Sequence, residues 1–130
     1  MLPVVVFQDV EAWCVQYLQA QLDTRPEPYA SGVYVSTAVP SERLDRMVIV
    51  RRDGGPRTGV VTEIVRLGVR VFGETDEVAA DLTQLVRALL ASSPGEGPIR
   101  RYVEIAGPSY LVEESGQPLR YFTAELISRA

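Results

Sequence analysis

Residues 62–91 read TEIVRLGVRVFGETDEVAADLTQLVRALLA. The first part alternates: Val65, Leu67, Val69 and Val71 fall on one face and Arg66, Gly68 and Arg70 on the other, as in a strand with one buried side. The second part changes period. Val78, Leu82, Leu85, Val86 and Leu89 recur at three- and four-residue spacing and draw one apolar stripe along a helix. Thr75 is placed to cap that helix, and Asp76 and Glu77 put negative charge at the positive end of its dipole. Ser92-Ser93-Pro94-Gly95 ends it. A strand feeding a helix through a Gly-Glu turn is the scaffold unit, and its two apolar faces need one common core.

Upstream, a helix is expected from about Gln8 to Asp23, with Val10, Trp13, Cys14, Tyr17, Leu18 and Leu22 as its stripe. Asp9 reads as its N-cap, and Asp9, Glu11, Gln16 and Gln19 are expected to face away. Thr24-Arg25-Pro26-Glu27-Pro28 stops it, because proline cannot continue a helix. A strand follows at Val33–Val39, closed by Pro40. A second spans Arg46 to Arg52, and its apolar run Met47-Val48-Ile49-Val50 is consistent with cover on both faces. Asp53-Gly54-Gly55-Pro56 breaks it, and the segment to Val61 reads as a flexible hairpin loop with Arg57 near its tip. Downstream of the central helix, strands are expected at Ile99–Ala106, Tyr110–Glu114 and Leu119–Ser128, joined by Gly107-Pro108 and Ser115-Gly116-Gln117-Pro118. The order α-β-β-β-α-β-β-β predicts a single α+β domain over residues 1–130: a mostly antiparallel sheet with two helices packed on one face.

Composition narrows the chemistry. Cys14 is the only cysteine, so an internal disulfide is excluded, and its place on an apolar stripe reads as a small buried hydrophobe. All 13 basic residues are arginine, and lysine, asparagine and histidine are absent. Lys and Asn codons are AT-rich, so this pattern fits a GC-rich genome. The lack of histidine removes the commonest general base, metal ligand and pH switch. The opening Met-Leu-Pro-Val-Val-Val-Phe lacks the positive charge and length of a signal or a membrane span, which predicts a soluble protein made in a cytoplasm. A net charge of -4 argues against general attraction to nucleic acid.

No catalytic or cofactor pattern emerges. Gly54-Gly55 lacks the spacing of a dinucleotide loop, the carboxylates Asp76, Glu77, Asp81, Glu113 and Glu114 sit where solvation or a helix dipole explains them, and Ser36, Ser92, Ser109 and Ser115 have no histidine partner. Neither an enzyme nor a bound cofactor or metal is expected. What remains is surface. Arg66 and Arg70 stand opposite the core-facing valines, and Tyr102, Tyr110 and Tyr121 lie on the later strands. The sheet face that the helices leave uncovered then carries Arg, Tyr, Thr and Ile, a mixture suited to a protein–protein interface.

Four passages, DVEAWCVQYLQAQL, MVIVRRDGG, VRLGVRVFGETDEVAADLTQLVRALL and VEIAGPSYLVEESGQPLRYFTAELISR, occur in this order and span most of the chain. With them the sequence resembles the small tail-terminator (tail completion) proteins of long-tailed phages and prophages of GC-rich bacteria. The RRDGG turn and the GP…SGQPLRYFTAEL ending carry most of the likeness. The resemblance implies a non-enzymatic ring, hexameric in the family, that caps the head-proximal end of the tail tube, stops its polymerisation and offers a docking face to the head. Its partners would be further copies of itself, the tail tube protein and a head completion or connector protein. DNA would pass through the channel without sequence-specific binding, a passage that suits an acidic protein. The protein would assemble in the host cytoplasm and reside in the virion, with no membrane; its small size leans toward a flexible, non-contractile tail. By the same resemblance Arg51, Arg52 and Asp53 of the RRDGG turn would lie near subunit contacts, and the Asp53–Val61 loop with Arg57 would reach a neighbour or the tube. Two alternatives stay open: a head–tail connector, stopper or other neck or minor tail protein, and a small-ligand or regulatory α+β module with a pocket of convergent polar groups.

Overall fold

The computed structural model describes Met1–Ala130. Its elements are α1 (Val10–Asp23), β1 (Tyr34–Ser36), β2 (Met47–Arg52), β3 (Thr62–Phe72), α2 (Asp76–Ala91), β4 (Ile99–Leu111) and β5 (Leu119–Arg129), with a 3₁₀ turn at Pro28–Ala30. The strands form one five-stranded sheet in the order β1-β2-β3-β5-β4. β1 runs parallel to β2, and every other pairing is antiparallel. The expected α+β architecture is therefore the one that forms. Both caps form as expected: Asp9 Oδ1 accepts from Ala12 N at 3.1 Å, and Thr75 Oγ1 accepts from Val78 N at 3.2 Å.

The alternation of β3 puts Val65, Leu67, Val69 and Val71 into the main core, where they meet Val48 and Val50 of β2, Phe122 and Leu126 of β5, and both helices. From α1 come Val10, Cys14, Leu18 and Leu22; from α2 come Leu82, Val86, Leu89 and Leu90. Leu85 packs only at the margin of this core. Burial, with Glu11 nearby, pushes the Cys14 thiol up to about 12, so it is an inert core residue. A second, smaller core of Met47, Ile49, Phe72 and Leu119, with Val39 against it, lies apart from the first. The run Met47–Val50 is thus covered on both faces, as its unbroken apolar character requires.

Three expectations are corrected. Gly107-Pro108 does not separate two strands. β4 runs through it, with register shifts between Glu104 and Ala106 and between Ala106 and Ser109, so the element order is α-β-β-β-α-β-β. Proline is tolerated there because β4 is the outermost strand and the bulges absorb the unpaired residues. The first strand keeps only Tyr34–Ser36. And Gln19 does not face away: its carboxamide donates to Val33 O at 2.9 Å and accepts from Val35 N at 3.0 Å. The amide fills the hydrogen-bonding positions that a further strand beside β1 would use, which closes that edge. No helix is long and apolar enough to cross a membrane.

Candidate assembly interface

Because strand side chains alternate, every core-facing residue of β3 has a neighbour on the open side of the sheet. Pairing sets these in rungs: Ile64 opposite Ile127, Arg66 opposite Glu125, Gly68 opposite Thr123, and Arg70 opposite Tyr121. β4 extends the rungs with Arg101, Val103, Ala106 and Ser109. Arg66 Nε donates to Glu125 Oε2 at 2.6 Å while most of the Arg66 side chain stays in solvent, so the pair is a surface feature of small stabilising value. Gly68 leaves a gap in this face. A Cβ there would stand 2.7 Å from Asp53 Oδ2 and 2.9 Å from the Tyr121 hydroxyl, so those two side chains converge over the glycine.

Arg51 lies opposite Gly68 in the β2–β3 pairing and therefore shares the open face; its Nη1 donates to Thr37 O at 3.2 Å. Arg70 is half-buried beside Glu113. Burial pushes the Glu113 carboxyl up, but hydrogen bonds from Ser115 and Arg43 and the charges of Arg43 and Arg70 outweigh it and hold the group below its ordinary 4.5. Arg51, Asp53, Arg66 and Arg70 are thus brought together on one surface.

Arg52 and Arg57 are not part of that surface. Arg52 pairs with Leu67 in the ladder and so points to the helix side, where its Nη2 meets Glu63 Oε2 at 3.1 Å and its guanidinium also donates to Gly54 O and Gly55 O. Its backbone N donates to Glu11 Oε2 at 2.7 Å, so Glu11, expected to face away, ties the start of α1 to the end of β2. Arg57 turns to the start of the chain: Nη2 donates to Val5 O at 3.0 Å, and the guanidinium lies 4.5 Å from the centre of the Phe7 ring. Nor is the Asp53–Val61 segment an open loop. Asp53 N donates to Arg66 O, Arg66 N to Gly54 O, Ile64 N to Pro56 O and Thr58 N to Thr62 O, which continues the β2–β3 hairpin almost to its tip.

Two shallow clefts lie away from this face. The first, bounded by Ser31, Gly32, Leu44, Asp45, Arg46 and Glu74, is spanned by Arg46, which meets Glu74 at 2.8 Å and donates to Pro28 O and Ser31 O. That hydrogen bond holds the Glu74 carboxyl below its ordinary value. The second, between α2 and β4, contains Arg87 paired with Glu104, and Tyr102, whose hydroxyl burial pushes up to about 12. In both, the paired charges are directed at each other rather than at a shared point in space.

Sequence reasoning missed exposed apolar stretches at the start of the chain, along the middle of β4, and at Leu111 and Val112, which stand 42% and 70% exposed. Leu2, Val4 and Val6 stand 73%, 85% and 83% exposed, and on β4 Val103 and Ile105 stand 37% and 55% exposed. The two-residue spacing of Leu2, Val4 and Val6 is the signal that could have found the first.

No family model matches the chain, and no curated protein matches it at a significant level. Among solved structures, one similar chain belongs to the virion of a native gene transfer agent (GTA) particle: it is 14% identical, with a TM-score of 0.66, and the match covers 95% of this chain and 100% of that one. At that identity the likeness is one of fold, and it extends over nearly the whole domain.

Proposed function

We propose that the protein is a structural component of a phage-type virion, specifically a tail terminator: a ring-forming subunit that caps the head-proximal end of the tail tube, stops its growth and presents a docking surface to the head. The observation that supports the coarser, virion part of this reading is the end-to-end fold match to a virion chain, 95% of one and 100% of the other, which leaves little of either chain outside the shared domain. The sequence resemblance to tail terminators supports the finer role. The open sheet face supports it too, because Arg51, Asp53, Arg66 and Arg70 beside Tyr121 and Thr123 form the mixed charged and aromatic surface that protein partners use. Such a role works through surfaces and needs no reacting group.

The test is to mix the purified protein with its cognate tail tube protein under conditions where tubes elongate, and to image the products by negative stain. Rings with an open centre, seated at one tube end and arresting growth, are expected. Binding to the portal-side connector with no effect on tube length would move the assignment to a stopper. Binding to neither would overturn the virion reading.

A further inference from the structure

The two edges of the sheet are unlike. Beside β1 the free backbone positions are occupied by the Gln19 carboxamide. β4 spans Ile99–Leu111 and has no strand beyond it. Long unpaired edges invite another strand unless something blunts them. The bulges of β4 blunt it in part, yet Val103, on the open face beside that edge, and Ile105, at the shift between Glu104 and Ala106, still present apolar side chains.

The start of the chain offers the complement. Residues 1–8 carry no charged side chain. Phe7 lies under the Arg57 guanidinium, and the Val5 carbonyl accepts from it, so this arm is moored to the β2–β3 hairpin. The mooring leaves Leu2, Val4 and Val6 exposed at two-residue spacing, the pattern of a strand with one face unsatisfied. An exposed apolar patch is a liability unless it is covered, and the arm and the middle of β4 each carry one. They sit on different parts of the molecule, the arm beside β2 and β3 and the other at the β4 edge with β5 between. A contact between unlike patches of identical chains is heterologous, and it closes into a ring when the rotation permits.

We propose that the Leu2–Val6 arm of one copy packs as a strand on the β4 edge of the next, covering Val103 and Ile105, and that this contact joins neighbours around the ring. Closure into a ring rests on the function proposed above; the pairwise contact does not. The occupant is a second copy because every copy carries both patches: an uncharged arm with exposed apolar residues at two-residue spacing, and an apolar edge with no strand beyond it.

The experiment mixes two full-length single variants, isotopically distinguished: Val4→Cys with Val103→Cys, and in parallel Val4→Cys with Ile105→Cys. Mild oxidation should give a heterodisulfide between different copies in at least one mixture, rising with protein concentration. The native Cys14, buried and with a raised thiol pKa, will not compete. Separately, Val4→Asp/Val6→Asp should raise the midpoint concentration for assembly at least about tenfold while leaving the thermal melt unchanged, because both side chains are exposed before assembly.

Rings that form as readily with Val4→Asp/Val6→Asp, and without any heterodisulfide, would overturn the arm contact and leave the ring reading standing. A disulfide that forms only within one chain, in a Val4→Cys/Val103→Cys double variant at high dilution, would show the arm folding back and would also overturn it. A wild-type chain that stays monomeric without cross-linking at the highest soluble concentration would overturn the contact, and capping of the tube would then decide the function independently.

Discussion

At the residue scale, Gly55 and Gly68 differ in what a side chain would meet. Gly55 has φ +109°, a conformation that L residues rarely adopt, and a Cβ there would run into the backbone carbonyl of Ile64. The Ile64 amide next to that carbonyl is fixed by its bond to Pro56 O, so the obstacle cannot retreat without opening the hairpin. Gly68 has ordinary strand geometry, and its neighbours are the far ends of Asp53 and Tyr121, which can rotate away. We predict that Gly55→Ala lowers stability by about 1–3 kcal/mol. Gly68→Ala should cost less than about 1 kcal/mol, because the better strand propensity of alanine offsets the displaced side chains. Urea midpoints at unchanged m-value decide between them, and the reverse order would mean that Asp53 and Tyr121 are pinned. The DGG turn was legible in the sequence, but which glycine it cannot spare was not, since that depends on Ile64, nine residues away on the returning strand.

At the scale of elements, β3 and α2 were legible because each has one strong period and both apolar faces meet the same core. β4 was misread because Gly107-Pro108 looks like a turn, and only its position at the sheet edge makes it harmless to the ladder. Gln19 was misread because a polar residue on a helix looks the same whether it meets water or the bare edge of β1. The candidate surface was half legible for similar reasons. Strict alternation placed Arg66 and Arg70 together, but the same parity forbids Arg51 and Arg52 from sharing a face, and nothing near residue 57 announces that Arg57 is held by Phe7. The α2–β4 clamp gives the element-scale prediction. Arg87 Nη2 meets Glu104 Oε2 at 2.6 Å, and that hydrogen bond, ahead of the charge itself, holds the Glu104 carboxyl below its ordinary 4.5. A depressed carboxyl contributes stability that is fully present above its unfolded value and is lost as pH falls through the folded one. Glu104→Gln should therefore melt about 3–5 °C below wild type at neutral pH, with the gap closing as pH falls below 4.5. A gap that stays constant on acidification would assign the loss to packing rather than to the ion pair.

At the scale of the whole molecule, two surfaces are available for two kinds of contact. The arm and the β4 edge lie at the periphery of the sheet and, on the proposal above, would join neighbouring copies; the open face, with Arg66 and Glu125 on central strands, would meet a partner stacked above or below. A charge exchange separates the two. Arg66→Glu would set two carboxylates opposite each other on an exposed rung, and we predict a stability loss of at most about 1 kcal/mol, because surface pairs on strands are weakly coupled. Adding Glu125→Arg restores the pair with reversed polarity and should return the melting temperature to that of wild type. Binding to the tube or connector behaves differently if the partner reads the charge pattern of this face: the single variant should lose it, and the double variant should not recover it, since each charge now stands where its opposite is needed. Light scattering on the free protein and pelleting with tubes measure the two contacts separately. If the double variant regains both stability and tube binding, the Arg66–Glu125 pair serves only the sheet. If the single variant already binds tubes as wild type does, the open face is not the docking surface, and the contacts that matter lie at the edges.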